Sequence, residues 1–209
     1  MTKDLRTLYI VNNRDLKLKV KDVMRYLRVR ESNAMMHRLL EECSDCVYEC
    51  SAPKAVYACV DISIEGETVD FGFMKVKSHS LSTHLAYCDK AYVMATTLGF
   101  EVDRLIEKYN RILQTKATVC DATATALIES FCNYVNEFVV NGRDSVMRYS
   151  CGYGDFDISH QVDILNYLDA TKKIGITLTD CMMMVPSKSV TAIIGIKKEG
   201  LENEFTETY

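Results

Sequence analysis

The sequence predicts an α+β protein, and three observations lead there. Segments of helical and strand period are interspersed without a regular strand–helix–strand alternation, which argues against a doubly wound parallel sheet. Two runs rich in β-branched and aromatic residues, 55–64 and 68–76, flank Glu65-Gly66-Glu67 and read as a hairpin. The chain is 48% hydrophobic with only two prolines, the composition of a polypeptide that buries a full core.

From the N-terminus, Leu16, Leu18 and Val20 alternate with Lys17, Lys19 and Lys21 and predict a short strand with one wet face. Asp22 is placed as the cap of a helix starting at Val23. Over 33–50, Met36, Leu39, Leu40, Cys43 and Val47 keep a spacing near 3.6, so a second helix is expected. Ser51-Ala52-Pro53 ends it, because proline lacks a donor and restricts its predecessor. After the hairpin, 79–90 reads as helix, 90–97 as a buried strand, and Leu98-Gly99 as the start of a turn. Helices follow near 100–113 and 118–140. A glycine-bearing loop opens at Arg148. The next helix, 159–171, takes Ser159 as its cap and Val162, Leu165 and Leu168 as one face. Ile174, Ile176 and Leu178 alternate as a strand, 189–196 forms the last strand, and Glu199, Glu202, Glu204 and Glu207 make an acidic tail. The organisation expected is an N-terminal strand and helical segment over 1–52 joined to an α+β core over 53–209, one continuous domain without internal repeats.

Charge and cysteine usage narrow the function classes. The net charge is -4, yet residues 1–40 carry ten Lys/Arg against four Asp/Glu. These basic residues are dispersed rather than interleaved with aromatics, so nucleic-acid binding is not expected. No run reaches the roughly 18 apolar residues of a membrane helix, and charges interrupt the N-terminus where a signal peptide would be apolar. A cytoplasmic protein without membrane contact follows, and its nine cysteines are expected to be free thiols.

Cys43, Cys46 and Cys50 are spaced CxxCxxxC. That spacing invites an iron–sulfur or zinc reading, but it is also how one packed helix face is written, and no fourth ligand accompanies it. No metal site is therefore assigned. His37, His79, His84 and His160 form no HExxH, and neither a nucleophile elbow, a GxGxxG nor a Walker loop is present. Hydrolase chemistry and the common nucleotide sites have no support, and no catalytic residue is assigned.

One segment rises above this background: Arg148-Tyr149-Ser150-Cys151-Gly152-Tyr153-Gly154-Asp155. Glycines let a backbone approach a ligand closely, an arginine can grip a carboxylate through two parallel bonds, and Tyr153 offers an aromatic face. Read alone, the segment is first a tight turn with an exposed arginine. The 118–140 helix adds a face of small residues, Ala122, Thr125 and Ala126, ending in Glu129. Alone, that glutamate reads as an ordinary surface charge.

Together these pieces resemble the activation domain of cobalamin-dependent methionine synthase. That family carries an RxxPGYG loop, a KIGxxLTE-like strand and a P-x-x-SVS segment in this order. Here they correspond to Arg148 to Asp155, to Lys173-Ile174-Gly175-Ile176-Thr177-Leu178-Thr179-Asp180, and to Pro186-Ser187-Lys188-Ser189-Val190-Thr191. The alanine-rich Asp121 to Glu129 stretch matches its helix with an acidic residue. Val23 to Leu27, Pro53 to Tyr57 and Ala95 to Gly99 look like its stand-alone members. Cys151 stands where the family has proline, and the N-terminal acidic ligand of the long synthases is left unmatched.

The resemblance implies a mixed or antiparallel twisted sheet with several helices, and S-adenosylmethionine as ligand. It also implies a role in restoring cobalamin oxidised to Co(II), with an electron from a flavodoxin-like donor and a methyl from the sulfonium. Arg148 would hold the ligand carboxylate, and Glu129 the amino group or the cationic end. Cys151, Gly152, Tyr153 and Gly154 would line the adenosine, with Asp155 and Ser189 supporting the loop. The sequence holds no DxHxxG corrinoid-ligating motif, so cobalamin is expected only through a partner, a methionine synthase or related corrinoid protein. The chain is then a methyltransferase component acting by positioning. The alternatives are a non-catalytic docking or regulatory module that no longer binds S-adenosylmethionine, and an iron–sulfur protein built on the three helical cysteines.

Overall fold

Strand alternation sorts side chains to two faces of one sheet, and each face has its own helical cover. The computed structural model describes residues 6–11, 15–30 and 33–198. Its main sheet has the order β1-β2-β6-β9 and is antiparallel throughout, formed by β1 (Thr7–Ile10), β2 (Lys54–Asp61), β6 (Cys88–Thr97) and β9 (Ser189–Lys197). On one face Ala55, Met94, Ala192 and Ile194 pack beneath α2 (Ala34–Cys50), α4 (Phe100–Ile112) and α5 (Gln114–Val140). On the other, Val56, Ala58, Val93 and Ile193 meet α3 (His79–His84), α6 (Gln161–Leu168) and α7 (Ala170–Ile174). A strand apolar on both faces reads as a continuous hydrophobic run, which is why β6 was legible as buried.

The 27-residue α5 organises its layer. Leu127, Phe131 and Val135 are fully buried and face α1 (Val20–Leu27), α2 and the sheet. Phe138 is instead half-exposed and stacks on Tyr9, with ring centroids 4.4 Å apart. Ala122 and Ala126 lie inside the same core. The helical cysteines of α2 are part of this packing: Cys43 is buried against α5, and Cys46 lies 3.8 Å from the Tyr109 hydroxyl. All nine cysteines are free thiols.

The expected α+β class with antiparallel sheets holds, but several elements differ from their sequence reading. Residues 17–19 belong to no strand, although Lys19 is extended, and α1 begins at Val20 instead of after Asp22, with Lys19 as cap. The reason is Tyr48, whose hydroxyl accepts from Leu18 N (3.1 Å) and donates to Leu16 O (2.8 Å), replacing a neighbouring strand with a side chain. The hairpin is confined to β3 (Ser63–Glu65) and β4 (Thr68–Asp70), which pair with β5 (Lys75–Lys77) in a separate three-stranded sheet, while β2 joins the main one. Asp70 Oδ1 accepts from Gly72 N at 2.8 Å and turns the chain between β4 and β5.

Helix α3 stops at His84 because β6 starts at Cys88, earlier than expected. The 159–171 helix is in fact a 3-10 turn (Ile158–His160) followed by α6 and α7, and the cap is Asp157, whose Oδ1 accepts from Ser159 N (2.8 Å). Ile174 ends α7 and Gly175 reverses the chain at φ 77°, leaving a two-residue β7 (Thr177–Leu178) paired with β8 (Met184–Val185). The acidic tail lies outside the described residues.

Candidate functional site

Residue spacing on α5 sets one wall of the site. Glu129, Asn133 and Asn136 stand at i, i+4 and i+7, hence on one helix face. The facing wall is the loop from Met147 to Asp155. Its first part runs along the edge of β9, where Tyr149 N donates to Ile193 O (2.9 Å) and Ile193 N to Tyr149 O (2.8 Å). Extended backbone alternates its side chains. Tyr149 thus packs with His84 and Phe156, while Arg148 and Ser150 turn toward α5 and β9. Ser150 Oγ donates to Thr191 O at 2.7 Å and fixes this stretch.

Arg148 reaches α5. Its Nη2 donates to Glu129 Oε2 at 3.1 Å and to Asn133 Oδ1 at 2.9 Å. The arginine side chain is 20% exposed and the glutamate 42%, so the pair lies at the border between protein and solvent. Beneath it, burial pushes the Cys132 thiol up to about 11, which keeps it neutral at physiological pH.

The loop then turns sharply. Gly152 N donates to Phe156 O (2.7 Å), and Gly152 and Gly154 take φ values of 89° and 55°. At Gly154 a Cβ would stand 2.5 Å from Ser80 Oγ and 2.9 Å from the Tyr149 hydroxyl, so this close approach requires glycine. Asp155 then closes the turn on α3. Its carboxylate accepts from Ser78 Oγ (2.5 Å), His79 N (2.8 Å) and Ser80 N (3.0 Å). Those bonds, Ser78 first, hold the carboxyl well below the usual carboxylate range.

Three adjoining depressions meet at Glu129. The first, about 330 Å³, is lined by Glu129, Asn133, Asn136, Arg148, Ser150 and Tyr153 among others. A second, about 350 Å³, runs from Glu129 and Tyr153 past Ile158 to Met182, Met184 and Ser189. A third, about 250 Å³, opens between Glu129 and the basic Lys17, Lys19 and Arg25 of the α1 region. The far wall of the second is strapped down on two sides. Gln161 Nε2 donates to Met182 O (2.9 Å), and Lys188 Nζ pairs with Asp121 (2.8 Å) and Thr125 Oγ1 (3.0 Å).

Of the residues nominated from sequence, Glu129, Arg148, Cys151, Tyr153 and Ser189 border this groove. Tyr153 is 56% exposed and free to meet a ring. Cys151 turns its thiol into the apolar cluster around Phe156 and Ile164, where burial pushes it up to about 12. Ser189 Oγ is bonded to Thr97 Oγ1 (2.9 Å) and Pro186 O (2.7 Å). Gly152, Gly154 and Asp155 shape the loop from behind. Sequence reading missed Asn133, Asn136 and the methionine wall. Two asparagines on one face of a long helix, against their weak helix propensity, were the available signal.

Residues 79–203 match the family of the vitamin B12 dependent methionine synthase activation domain. The chain belongs to this family. All eight nominated site residues fall inside the matched stretch. The activation-domain fold extends further: the chain is similar to the crystal structure of the MetH reactivation domain bound to AdoHcy, with a TM-score of 0.68 and 14% identity, over 93% of this chain and 79% of that one. At that identity the likeness is one of fold. No curated protein matches the chain. Among the described residues of this activation-domain relative, no helix is long and apolar enough to cross a membrane, and no cluster of three metal-ligating side chains occurs.

Proposed function

We propose that this protein binds S-adenosylmethionine where α5 meets the Arg148 loop, and serves the reductive reactivation of a cobalamin-dependent methionine synthase supplied in trans. The observation that carries the reading is the Arg148–Glu129 pair at the groove. An α-amino acid is a zwitterion, and a guanidinium beside a carboxylate offers each of its charges a partner. The residues present fit the ligand in other respects too. Tyr153 presents an exposed ring, and Ile158 and Met184 give the adjoining groove an apolar lining suited to an adenosine. Support also comes from the structural relative, which holds AdoHcy, the demethylated form of the proposed ligand.

When bound, S-adenosylmethionine supplies an electrophilic methyl group. The work of this chain is to hold that group in place. Arg148 takes the carboxylate, Tyr153 and the Cys151–Gly154 backbone border the adenosine, and the strapped methionine wall keeps water from one side. No residue of the site has to move a proton, so catalysis here is positioning. The corrinoid belongs to a partner, a methionine synthase or related corrinoid protein, and the electron comes from a flavodoxin-like donor. The protein acts in the cytoplasm.

Calorimetric titration of S-adenosylmethionine into the purified protein tests this, alone and with a corrinoid-loaded synthase that lacks its own activation domain. Saturable binding and partner reactivation are expected. The internal satisfaction of Arg148 by Glu129 and Asn133 favours a second reading, a docking module that has lost the ligand. Partner binding without ligand binding in either titration would decide for it.

A further inference from the structure

The hairpin that walls the second depression is held at its tip by one side chain. Strands β7 and β8 meet in a loop, residues 179–183, that closes on itself. Thr179 N donates to Met183 O (2.9 Å) and Met182 N to Thr179 O (2.9 Å). A three-residue hairpin loop places its third residue in the left-handed region, where glycine is usual. Here that residue is Met182, at φ 61°. A side chain disfavours this backbone, and the conformation persists only where its surroundings fix it. Among the described residues, one hydrogen bond ties the tip to the rest of the protein, from Gln161 Nε2 to Met182 O at 2.9 Å.

Gln161 is a rigid point of attachment. It opens α6, whose Ile164, Leu165 and Leu168 belong to the core, and is itself only 4% exposed. The other end of its amide, Oε1, accepts from the Thr191 hydroxyl on β9 (3.3 Å). Thr191 O in turn accepts from Ser150 Oγ at 2.7 Å. A chain of polar contacts thus runs under the groove, from the methionine wall through α6 and β9 to the residue two places after Arg148. With both ends of its amide engaged by protein, Gln161 acts on a ligand through Met182, Met183 and Met184, which line the depression. Resting on the reading above, in which that depression takes the adenosine, we infer that Gln161 is the positioning residue for the adenosine-facing wall. It fixes Met182 in its left-handed conformation and refers the wall to the strand that anchors the Arg148 loop.

Two probes and two substitutions in the intact protein test this by calorimetric titration. S-adenosylmethionine and 5′-methylthioadenosine share the adenosine, and only the first carries the amino-acid group. Gln161→Met keeps the length of the side chain but cannot donate, and should weaken both probes by the same factor, about tenfold for one lost hydrogen bond. Gln161→Glu adds a pH readout that a merely structural role would not move. Its ionised carboxylate has no donor for the Met182 carbonyl, whereas the protonated acid has one, and burial favours the protonated form. Affinity of this variant relative to the unsubstituted protein should therefore recover as pH falls from about 8 to about 5.5, while that of Gln161→Met stays level. Unchanged affinity in Gln161→Met overturns the proposal and leaves the site reading standing. So does a loss confined to S-adenosylmethionine, which would put the wall against the amino-acid end, or a pH-independent ratio in Gln161→Glu. If the unsubstituted protein binds neither probe, the site reading itself fails and this inference falls with it.

Discussion

The two ends of the Arg148–Asp155 loop carry opposite charges and hold them in different ways. Arg148 bonds to side chains of α5, each on its own flexible stem, at a solvent border. Asp155 bonds to the Ser78 hydroxyl and to two backbone N–H groups of α3. Side-chain partners can be exchanged for a ligand, whereas backbone donors at a helix start have no other acceptor waiting. One end of the loop can thus be competed for, while the other is held in place. The glycines between them let the chain pass from one to the other within a few residues.

Substitutions at each end break or sharpen that contrast. Arg148→Ala should weaken S-adenosylmethionine by more than about 2 kcal/mol, while stability changes by less than about 1 kcal/mol, since the pair it breaks is partly solvated. Titration and thermal unfolding on one preparation read both quantities; unchanged affinity would remove Arg148 from the site. Gly154→Ala should act the other way and destabilise by about 1–3 kcal/mol, from its left-handed backbone and the contact with Ser80. A denaturant midpoint equal to that of the unsubstituted protein would show that the turn is not under this constraint. Ser78→Ala removes the cap that accepts from Leu81 N at 3.0 Å and one partner of Asp155. A loss of about 1 kcal/mol is expected, again from denaturant curves.

The smallest effect is on acid stability. Asp155 is depressed in the folded protein, so its contribution is present above the ordinary carboxylate pKa of about 3.9 and fades as pH falls toward the lower folded value. Asp155→Asn should therefore flatten the stability profile below about pH 4 and leave its neutral-pH slope alone. A profile of identical shape in both proteins would assign the acid limb to other carboxylates.

Much of this architecture was legible in the residues, for physical reasons that differ by element. Helices α2, α4 and α5 and strands β6 and β9 are long enough for periodicity to average over many positions. Residues 16–21 misled because alternation reports exposure, not pairing, and Tyr48 supplied the bonds a strand partner would have made. The break at Gly175 inside the apparent Ile174–Leu178 alternation follows from a left-handed residue that spacing alone does not reveal. In the candidate site, Arg148, Glu129 and Tyr153 were nominated from the glycine-bearing loop and the small-residue helix face, and the structure brings them to one groove. Asp155 was expected to support the loop, but the α3 partners through which it does so lie more than seventy positions away, beyond any local pattern. Asn133 and Asn136 were overlooked because a polar residue on a helix looks the same whether it faces water or a groove.

The central strand has a further consequence, measurable by isotope exchange. β6 is hydrogen-bonded on both sides, to β2 and β9, and is sealed above and below by two separate apolar clusters. Deuterium reaches such amides only through the largest openings of the molecule. The slowest-exchanging protons should line β6 and the half of β9 opposite it, including Ile193, whose N–H is bonded to Tyr149. The Arg148 loop is anchored to that strand, so the groove keeps its shape for as long as the protein stays folded at all.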